Sequence, residues 1–327
     1  MYTFNPSYKE LLTMNEQYEI NFVSKLDETR QPALFMPATG DDPRPLLVAL
    51  HTWSADLTQS WEPFRSRCEQ RNWHCIYPLF RGPNWNRKAC GSDLVVSDIE
   101  SAVEYVKSVA KVDENRIYLI GGSGGGHASL LMAGRTPQIW AAVSSWCPIS
   151  DIAKWHKECK ASGRNYYEHI ESACDGDPQT STSAAAQAKR RSPVTYLTAA
   201  AGKTIVDIGT GIHDGHKGSV PVGHSLRAFN LLADEADRIS DADIDFIEKN
   251  EAIPENIAYK GEEDIAYGPY KVLLRRTSKL ARITIFEGGH DQLPGPGFGF
   301  LEQQRKGQAP IWNSGIAYDD EKAKLGK

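Results

Sequence analysis

Residues 116–125 read Arg116-Ile-Tyr-Leu-Ile120 and then Gly121-Gly122-Ser123-Gly124-Gly125. The first five residues are an apolar run typical of a buried strand, and a helical pattern begins near Gly124. A G-x-S-x-G motif between a strand and a helix holds its serine on a tight turn, where glycines permit a strained backbone. The lysine of a phosphate-binding loop is absent, because His127 follows Gly126. The stretch therefore predicts that Ser123 is a nucleophile.

Strands and helices alternate on both sides of this motif. Apolar runs predict strands at Leu46–Leu50, His74–Tyr77, Arg116–Ile120, Ala141–Ser145, Lys203–Ile208 and Arg282–Phe286. Amphipathic patterns predict helices at Gln59–Gln70, Ser92–Val109, from Gly124 onward and at Ser225–Ala233. Such alternation favours an α/β fold with a mostly parallel central sheet and helices on both faces.

The alternation has two interruptions, at residues 152–191 and 235–280. We interpret residues 1–327 as a single domain, with the first interruption a cap-like insertion and the second a further insertion. Antiparallel strands are expected near Tyr18–Val23 and Ala33–Met36. Two insertions at one sheet edge would form a cap over a site, whereas surface excursions without a role are the alternative.

A serine nucleophile needs a base, and the base needs a carboxylate that orients it. His290 follows the strand and glycines of Ile285-Phe-Glu-Gly-Gly289 near the C-terminus, so it is the predicted base. Asp214 lies in the loop beyond the strand at residues 203–208, where such sheets present functional groups, and is the preferred acid. Asp207, inside that strand, and Asp151, after the preceding one, are the other candidates.

The order Ser123, Asp214, His290 resembles the α/β-hydrolase superfamily, and in particular its prolyl-oligopeptidase-like and acetyl-xylan-esterase-like serine hydrolases. The resemblance covers roughly residues 46–294 and implies an acyl-enzyme mechanism with a Ser-Asp-His triad. It also implies an oxyanion hole made by the backbone N–H groups of Trp53 and Gly124, although Thr52 stands where that superfamily usually has glycine. The spacing from Asp214 to Val220-Pro221 is longer than usual.

Aromatic and basic residues near the predicted site suggest substrate contacts. Trp85, Arg81, Arg87, Trp155 and Tyr166 are the candidates, with cap packing or structural salt bridges as the alternatives. No propeller-sized domain precedes the motif, so a small-molecule carboxylic ester is expected as the substrate, with a small acyl group and possibly carried on a carbohydrate. An aminopeptidase or small-peptide hydrolase is the alternative, and a non-catalytic binding protein on this scaffold is a remote one.

Composition excludes several other classes. A net charge of -5 without a basic run disfavours nucleic-acid or anionic-membrane binding. The N-terminus lacks a signal-peptide pattern, so a cytoplasmic location is expected unless a leader has been removed. The six cysteines are expected to be free, although Cys159 and Cys174 are a candidate bridge in an exported protein.

No cofactor is expected, and the oligomeric state cannot be predicted. Residues 206–211 have the glycines of a methyltransferase motif, but no helix follows them. His213, Asp214 and His216 lie too close together in one loop, without a second cluster, to favour a metal site.

Overall fold

The computed structural model describes residues 16–313. Nine strands form one sheet within these residues, and we number them in chain order. They are β1 (Glu19–Val23), β2 (Arg30–Met36), β3 (Arg44–Leu50), β4 (His74–Pro78), β5 (Val112–Gly122), β6 (Ala142–Trp146), β7 (Ile205–Gly211), β8 (Val272–Ser278) and β9 (Ala281–Phe286).

The strands lie in the order β1-β2-β4-β3-β5-β6-β7-β9-β8. The inner strands pair in parallel from β4 through β3, β5, β6 and β7 to β9. Antiparallel pairing is confined to β1 with β2, β2 with β4, and β8 with β9. The predicted mostly parallel sheet, with antiparallel strands at its N-terminal edge, is confirmed.

Helices cover both faces of the sheet. They are α1 (Glu62–Arg71), α2 (Asp93–Val109), α3 (Gly124–Arg135), α4 (Ile152–Ala161), α5 (Tyr166–Cys174), α6 (Thr182–Arg191), α7 (Gly223–Leu232), α8 (Asp241–Asn250) and α9 (Pro294–Leu301). Along β3, Leu46, Val48 and Leu50 pack into one core, whereas Leu47 and Ala49 pack into the other. This alternation follows from strand geometry, in which successive side chains point to opposite faces.

The two interruptions have different structures. Residues 152–191 form the helices α4, α5 and α6, which share a third small core with Trp53 and Val220. Residues 235–280 contain α8 and then β8, the edge strand of the sheet on the side opposite β1. The final part of the second predicted insertion therefore belongs to the sheet itself. We call the α4–α6 unit the cap.

Helix boundaries follow local chemistry. Ser92 and Asp93 are both candidate caps of α2 by sequence, and the structure has Ser92 in this role, since its hydroxyl accepts from the Val95 N–H at 3.3 Å. Helix α1 begins at Glu62, three residues later than predicted, because Pro63 is tolerated only in the first turn of a helix. Among the described residues, no helix combines the length and apolar character needed to cross a bilayer.

Candidate active site

Ser123 lies on the turn between β5 and α3 in a strained backbone conformation. Its φ of 56° and ψ of -118° are rare for a residue with a side chain. The turn is held because the Ser123 N–H donates to the Trp146 carbonyl at 2.9 Å, and the His127 N–H donates to the Ser123 carbonyl at 2.8 Å. This conformation presents a partly exposed hydroxyl at the carboxyl edge of the sheet.

The glycines around Ser123 are required by close backbone packing. A Cβ at Gly121 would lie 2.3 Å from the Gly125 carbonyl oxygen, and one at Gly125 would lie 2.6 Å from the Leu50 carbonyl oxygen. A Cβ at Gly124 would lie 2.4 Å from the Trp53 nitrogen. Any side chain at these positions would force the backbone apart, which is why the turn is built from glycine.

Asp214 and His290 form the hydrogen-bonded pair that a base needs. His290 Nδ1 lies 2.7 Å from Asp214 Oδ2, although the two residues are 76 positions apart in the sequence. The Asp214 side chain is fully buried, whereas the His290 side chain is one quarter exposed. A buried carboxylate on Nδ1 fixes the imidazole so that Nε2 faces away from Asp214, free to accept a proton.

The other carboxylate oxygen holds its own loop in place. Asp214 Oδ1 accepts from the N–H groups of Gly215 at 2.9 Å and Val220 at 3.1 Å. A Cβ at Gly218 would lie 2.2 Å from Asp214 Oδ1 and 2.6 Å from His290 Cβ. The segment 214–220, which we call the acid loop, therefore wraps closely over the pair. The acid loop thus gives Asp214 two backbone donors.

The cap grips the acid loop through backbone carbonyls. Arg164, in the turn between α4 and α5, donates from Nη2 to the carbonyls of Gly215 at 2.9 Å and Gly218 at 2.8 Å. The Trp155 indole N–H donates to the Ser219 carbonyl at 2.9 Å. The position of Asp214 is thus coupled to the position of the cap.

The other two candidate acids have structural partners. Asp207 forms a buried ion pair with Arg282, with contacts of 2.7 and 3.0 Å. Asp151 caps α4, since its carboxylate accepts from the Lys154 N–H at 3.0 Å. Neither carboxylate contacts His290, so the structure places only Asp214, of the three, against the predicted base.

Ser123 and His290 are not joined directly. Within residues 16–313, no hydrogen bond connects Ser123 Oγ to the His290 ring. Catalytic hydrogen bonds are often long in the free enzyme and tighten only when a substrate binds. The structure therefore places Ser123 and the Asp214–His290 pair at the same edge of the sheet, and we expect the hydrogen bond between Ser123 and His290 to form when a substrate binds.

The two predicted oxyanion donors are adjacent. A Cβ at Gly124 would lie only 2.4 Å from the Trp53 nitrogen, so the two backbone segments are in close contact. Across the described part of the chain, neither N–H donates to a protein acceptor. Gly124 also opens α3, whose N-terminus favours negative charge. Two free donors beside a nucleophile suit the oxyanion of an acyl-transfer intermediate.

Most of the aromatic residues predicted to bind substrate are packed in the cap. Trp155 is fully buried, with its ring edge-on to Trp53 at 4.7 Å and stacked on Tyr166 at 5.0 Å. The Trp53 indole N–H donates to His169 Nδ1 at 3.3 Å. Trp155 therefore belongs to the core of the cap and presents no surface to a substrate, which is the cap-packing alternative given for these residues. Tyr166 stacks on its ring.

The two arginines and Trp85 differ in accessibility. Arg81 is buried, and its guanidinium pairs with Asp98 at 2.7 Å and Asp27 at 2.8 Å, so a substrate cannot reach it. Its predicted substrate contact is corrected to a structural salt bridge. Arg87 is 70% exposed and lies 3.4 Å from Asp175. Trp85 is 41% exposed, with its ring 5.1 Å from His169, and stays a candidate contact.

Four residues that sequence reasoning missed surround the site: Arg164, His169, Cys147 and Gln292. Cys147 directly follows β6 in a left-handed conformation, and its thiol donates to the Asp291 carbonyl at 3.3 Å. Burial, with the nearby Asp214 charge, raises the pKa of this thiol well above its usual value. The Gln292 side chain lies against Gly122, and its buried Nε2 has no partner among the described residues.

The rejected metal site is not assembled. His213 lies between Glu251 at 2.6 Å and Glu287 at 2.7 Å, while His216 contacts the Glu248 carbonyl. Both histidines therefore have partners other than Asp214, whose Oδ2 lies against His290. All six cysteines are free and buried, so Cys159 and Cys174 are not bridged.

Comparisons with known proteins identify the family of this chain and proteins that share its fold. The family model of the prolyl oligopeptidase family, peptidase S9, matches residues 80–248 and so includes Ser123 and Asp214 but ends before His290. A comparison with curated protein sequences finds no match.

Several solved structures share the fold. The acylaminoacyl peptidase of Pyrococcus horikoshii has a TM-score of 0.59 at 13% identity, over 94% of this chain and 45% of that one. Prolyl oligopeptidase B from Galerina marginata has a TM-score of 0.54 at 17% identity, over 65% of this chain and 31% of that one. The chain therefore spans less than half the length of these proteins. Because the family model covers just over half of its 327 residues, the chain belongs to the prolyl oligopeptidase family.

Proposed function

We propose that this chain is a serine hydrolase that cleaves amide bonds in small peptides through an acyl-enzyme on Ser123. The observation that carries the proposal is the 2.7 Å contact between buried Asp214 and His290, on the sheet edge where Ser123 is held in its strained turn. A buried carboxylate, an oriented imidazole and an exposed hydroxyl are the parts that acyl transfer needs.

In the first half of the reaction, His290 Nε2 accepts the Ser123 proton while Oγ attacks the substrate carbonyl carbon. The carbonyl oxygen gains negative charge and accepts from the N–H groups of Trp53 and Gly124. His290, now positively charged beside Asp214, donates its proton to the leaving amine. In the second half, His290 activates a water that releases the acyl group and restores Ser123.

Family membership supports a peptide substrate. The solved structures with the same fold are named as acylaminoacyl peptidase and prolyl oligopeptidase. The ester expectation rested on the absence of a propeller-sized domain, but the given chain spans less than half of those proteins, so that reasoning carries no weight. Trp155 is also buried in the cap, so its ring offers no surface on which the sugar of a carbohydrate ester could stack.

Matched substrates test the proposal. Alanine p-nitroanilide and its N-acetyl form offer an amide with a free and a blocked amino group, while p-nitrophenyl acetate, butyrate and octanoate offer esters. We expect wild type to hydrolyse at least one anilide, and Ser123→Ala to lose that activity while unfolding at the same temperature. Turnover of short esters with both anilides untouched would refute the peptide assignment and favour an esterase. Ser123-independent turnover would refute the mechanism.

A further inference from the structure

The buried thiol of Cys147 lies beside the proposed catalytic pair but has no part in the proposed reaction. Its sulfur, a carboxylate oxygen of Asp214 and a ring nitrogen of His290 all lie within 4.8 Å of one another. Cys147 reaches this position because it immediately follows β6 with a φ of 45°, which turns the chain toward the ends of β7 and β9.

We propose that Cys147, Asp214 and His290 form an inhibitory site for a thiophilic divalent cation, with zinc and cadmium as the ions that fit it. Thiolate, carboxylate and imidazole are the three ligand types that zinc takes in proteins. In tetrahedral geometry, Zn–S bonds of ~2.3 Å and Zn–N or Zn–O bonds of ~2.0 Å hold ligand atoms ~3.3–3.6 Å apart. Because the three ligand atoms lie within 4.8 Å of one another, shifts of at most ~1.5 Å complete three bonds, and water supplies the fourth.

Charge favours the ion. A thiolate and a carboxylate together carry two negative charges, which a divalent cation neutralises in a buried position. Within residues 16–313, no lysine or arginine forms an ion pair with Asp214, and its side-chain partner is the His290 imidazole. The other cluster of this kind consists of His156, Glu171 and Asp177. Its carboxylates already have a positively charged partner, because the Lys160 ammonium group lies 2.7 Å from Asp177. The Cys147 cluster is therefore the better cation site.

Proton bookkeeping explains why binding would inhibit. The cation displaces the Cys147 thiol proton, which leaves to solvent. It also takes the place of the Nδ1 proton between His290 and Asp214, and that proton moves to Nε2 of the same ring. A neutral imidazole protonated on Nε2 cannot accept the Ser123 proton, so the base is lost. One proton is released for each ion bound, and no oxidation is needed.

His290 is the most exposed of the three ligands. Cys147 and Asp214 are almost fully buried, whereas one quarter of the His290 side chain is exposed. A cation that approaches from the His290 side therefore meets the imidazole before the carboxylate and the thiol. A hard cation such as magnesium prefers oxygen ligands and keeps its waters, so it gains little here.

Binding and inhibition are measured separately, because the inhibitory effect rests on the proposed function whereas binding does not. Cadmium and zinc binding to the full chain is followed by equilibrium dialysis for wild type, Cys147→Ala and Cys174→Ala. Cys174 is the matched control, being an equally buried cysteine in the cap. We expect Cys147→Ala to bind cadmium ~100-fold more weakly than wild type, since even outer partners of a metal site contribute ~10–100-fold. Cys174→Ala should bind as wild type does.

Inhibition of anilide turnover is then expressed relative to each variant's own metal-free rate. Zinc and cadmium should inhibit wild type and Cys174→Ala, magnesium should not, and EDTA should restore the rate. Equal cadmium affinity in wild type and Cys147→Ala would overturn the metal site. Cys147-dependent binding in a protein without Ser123-dependent turnover would leave the site standing and refute the proposed function. Should Cys147→Ala fail to fold, Cys147→Ser gives the same comparison, because a hydroxyl is a poor ligand for cadmium.

Discussion

Replacing Arg164 by alanine removes the link between the cap and the acid loop. The Arg164 guanidinium donates to two backbone carbonyls, those of Gly215 and Gly218, at 2.9 and 2.8 Å. The same loop supplies both N–H groups that hold Asp214 Oδ1. Arg164 touches neither Ser123 nor His290, so it is a positioning residue that acts through the loop.

The magnitude follows from the two hydrogen bonds. Hydrogen bonds to charged groups each contribute ~1.5–3 kcal/mol. Since the Arg164 side chain is half-buried and water competes for the carbonyls, we discount each bond to ~1 kcal/mol, below that range, which gives ~2 kcal/mol for the pair. If the loop must be ordered for each turnover, ~2 kcal/mol corresponds to a roughly thirtyfold fall in kcat. The Trp155 bond to Ser219 remains, so we expect kcat to fall between about threefold and thirtyfold.

The assay is Ser123-dependent anilide turnover, with kcat and KM determined separately and the unfolding temperature measured for each variant. KM should change little, because Arg164 does not line the serine side of the turn. Arg164→Lys should recover part of the loss, since its ammonium can still donate to a carbonyl. Arg190→Ala is the matched control, because its ion pair with Asp93 is exposed and contributes little. Wild-type kcat in folded Arg164→Ala would refute the reasoning, as would an equal loss in Arg190→Ala.

Three further predictions follow from the site and its support. Asp214→Asn should lower kcat ~10⁴-fold, because an amide favours the wrong imidazole tautomer. Asp207→Asn should instead lower the unfolding free energy by ~3 kcal/mol and leave the folded enzyme active. If kinetics and denaturant titrations show the reverse pattern, the catalytic acid is Asp207. Gly124→Ala should lower kcat ~10²–10³-fold without a matching rise in KM, because its Cβ would displace the Trp53 N–H by about 1 Å, and near-normal kcat would place the oxyanion elsewhere. Burial lowers the pKa of His127 from 6.5 to about 4, so the unfolded chain binds the proton first as pH falls, and this group should remove ~3 kcal/mol of stability between pH 6.5 and 4. Denaturant titrations across that range should show a shallower pH dependence in His127→Gln, and an unchanged slope would exclude this residue as the cause.

The parts of the fold that local patterns control were predicted well. The apolar runs at residues 46–50 and 282–286 became the buried strands β3 and β9, because a strand covered on both faces needs continuous apolar side chains. The strained turn at Ser123 was predicted for a similar reason, since only glycine neighbours allow backbones to approach within the distances seen there.

The cap was harder to predict because its contacts join distant parts of the chain. Arg164 donates to carbonyl oxygens more than fifty residues away. Because every residue has a backbone carbonyl, the residue types in the sequence do not indicate which carbonyls accept these bonds. Trp155 has the same composition signal whether it faces a ligand or a core, and only packing against Trp53 and Tyr166 decides between them. The sequence predicted a cap over a site, whereas the structure shows that the cap also holds the acid loop.

Labelling with a fluorophosphonate, followed by mass mapping of the modified peptide, tests most directly whether Ser123 is an activated nucleophile. The reagent needs an oriented base and a free serine but no substrate specificity, so the result does not depend on the choice of peptide. The account predicts one adduct on Ser123, its loss in Ser123→Ala and strongly slowed labelling in His290→Ala. An unlabelled Ser123 in the folded protein, or labelling that is equally fast in His290→Ala, would contradict it.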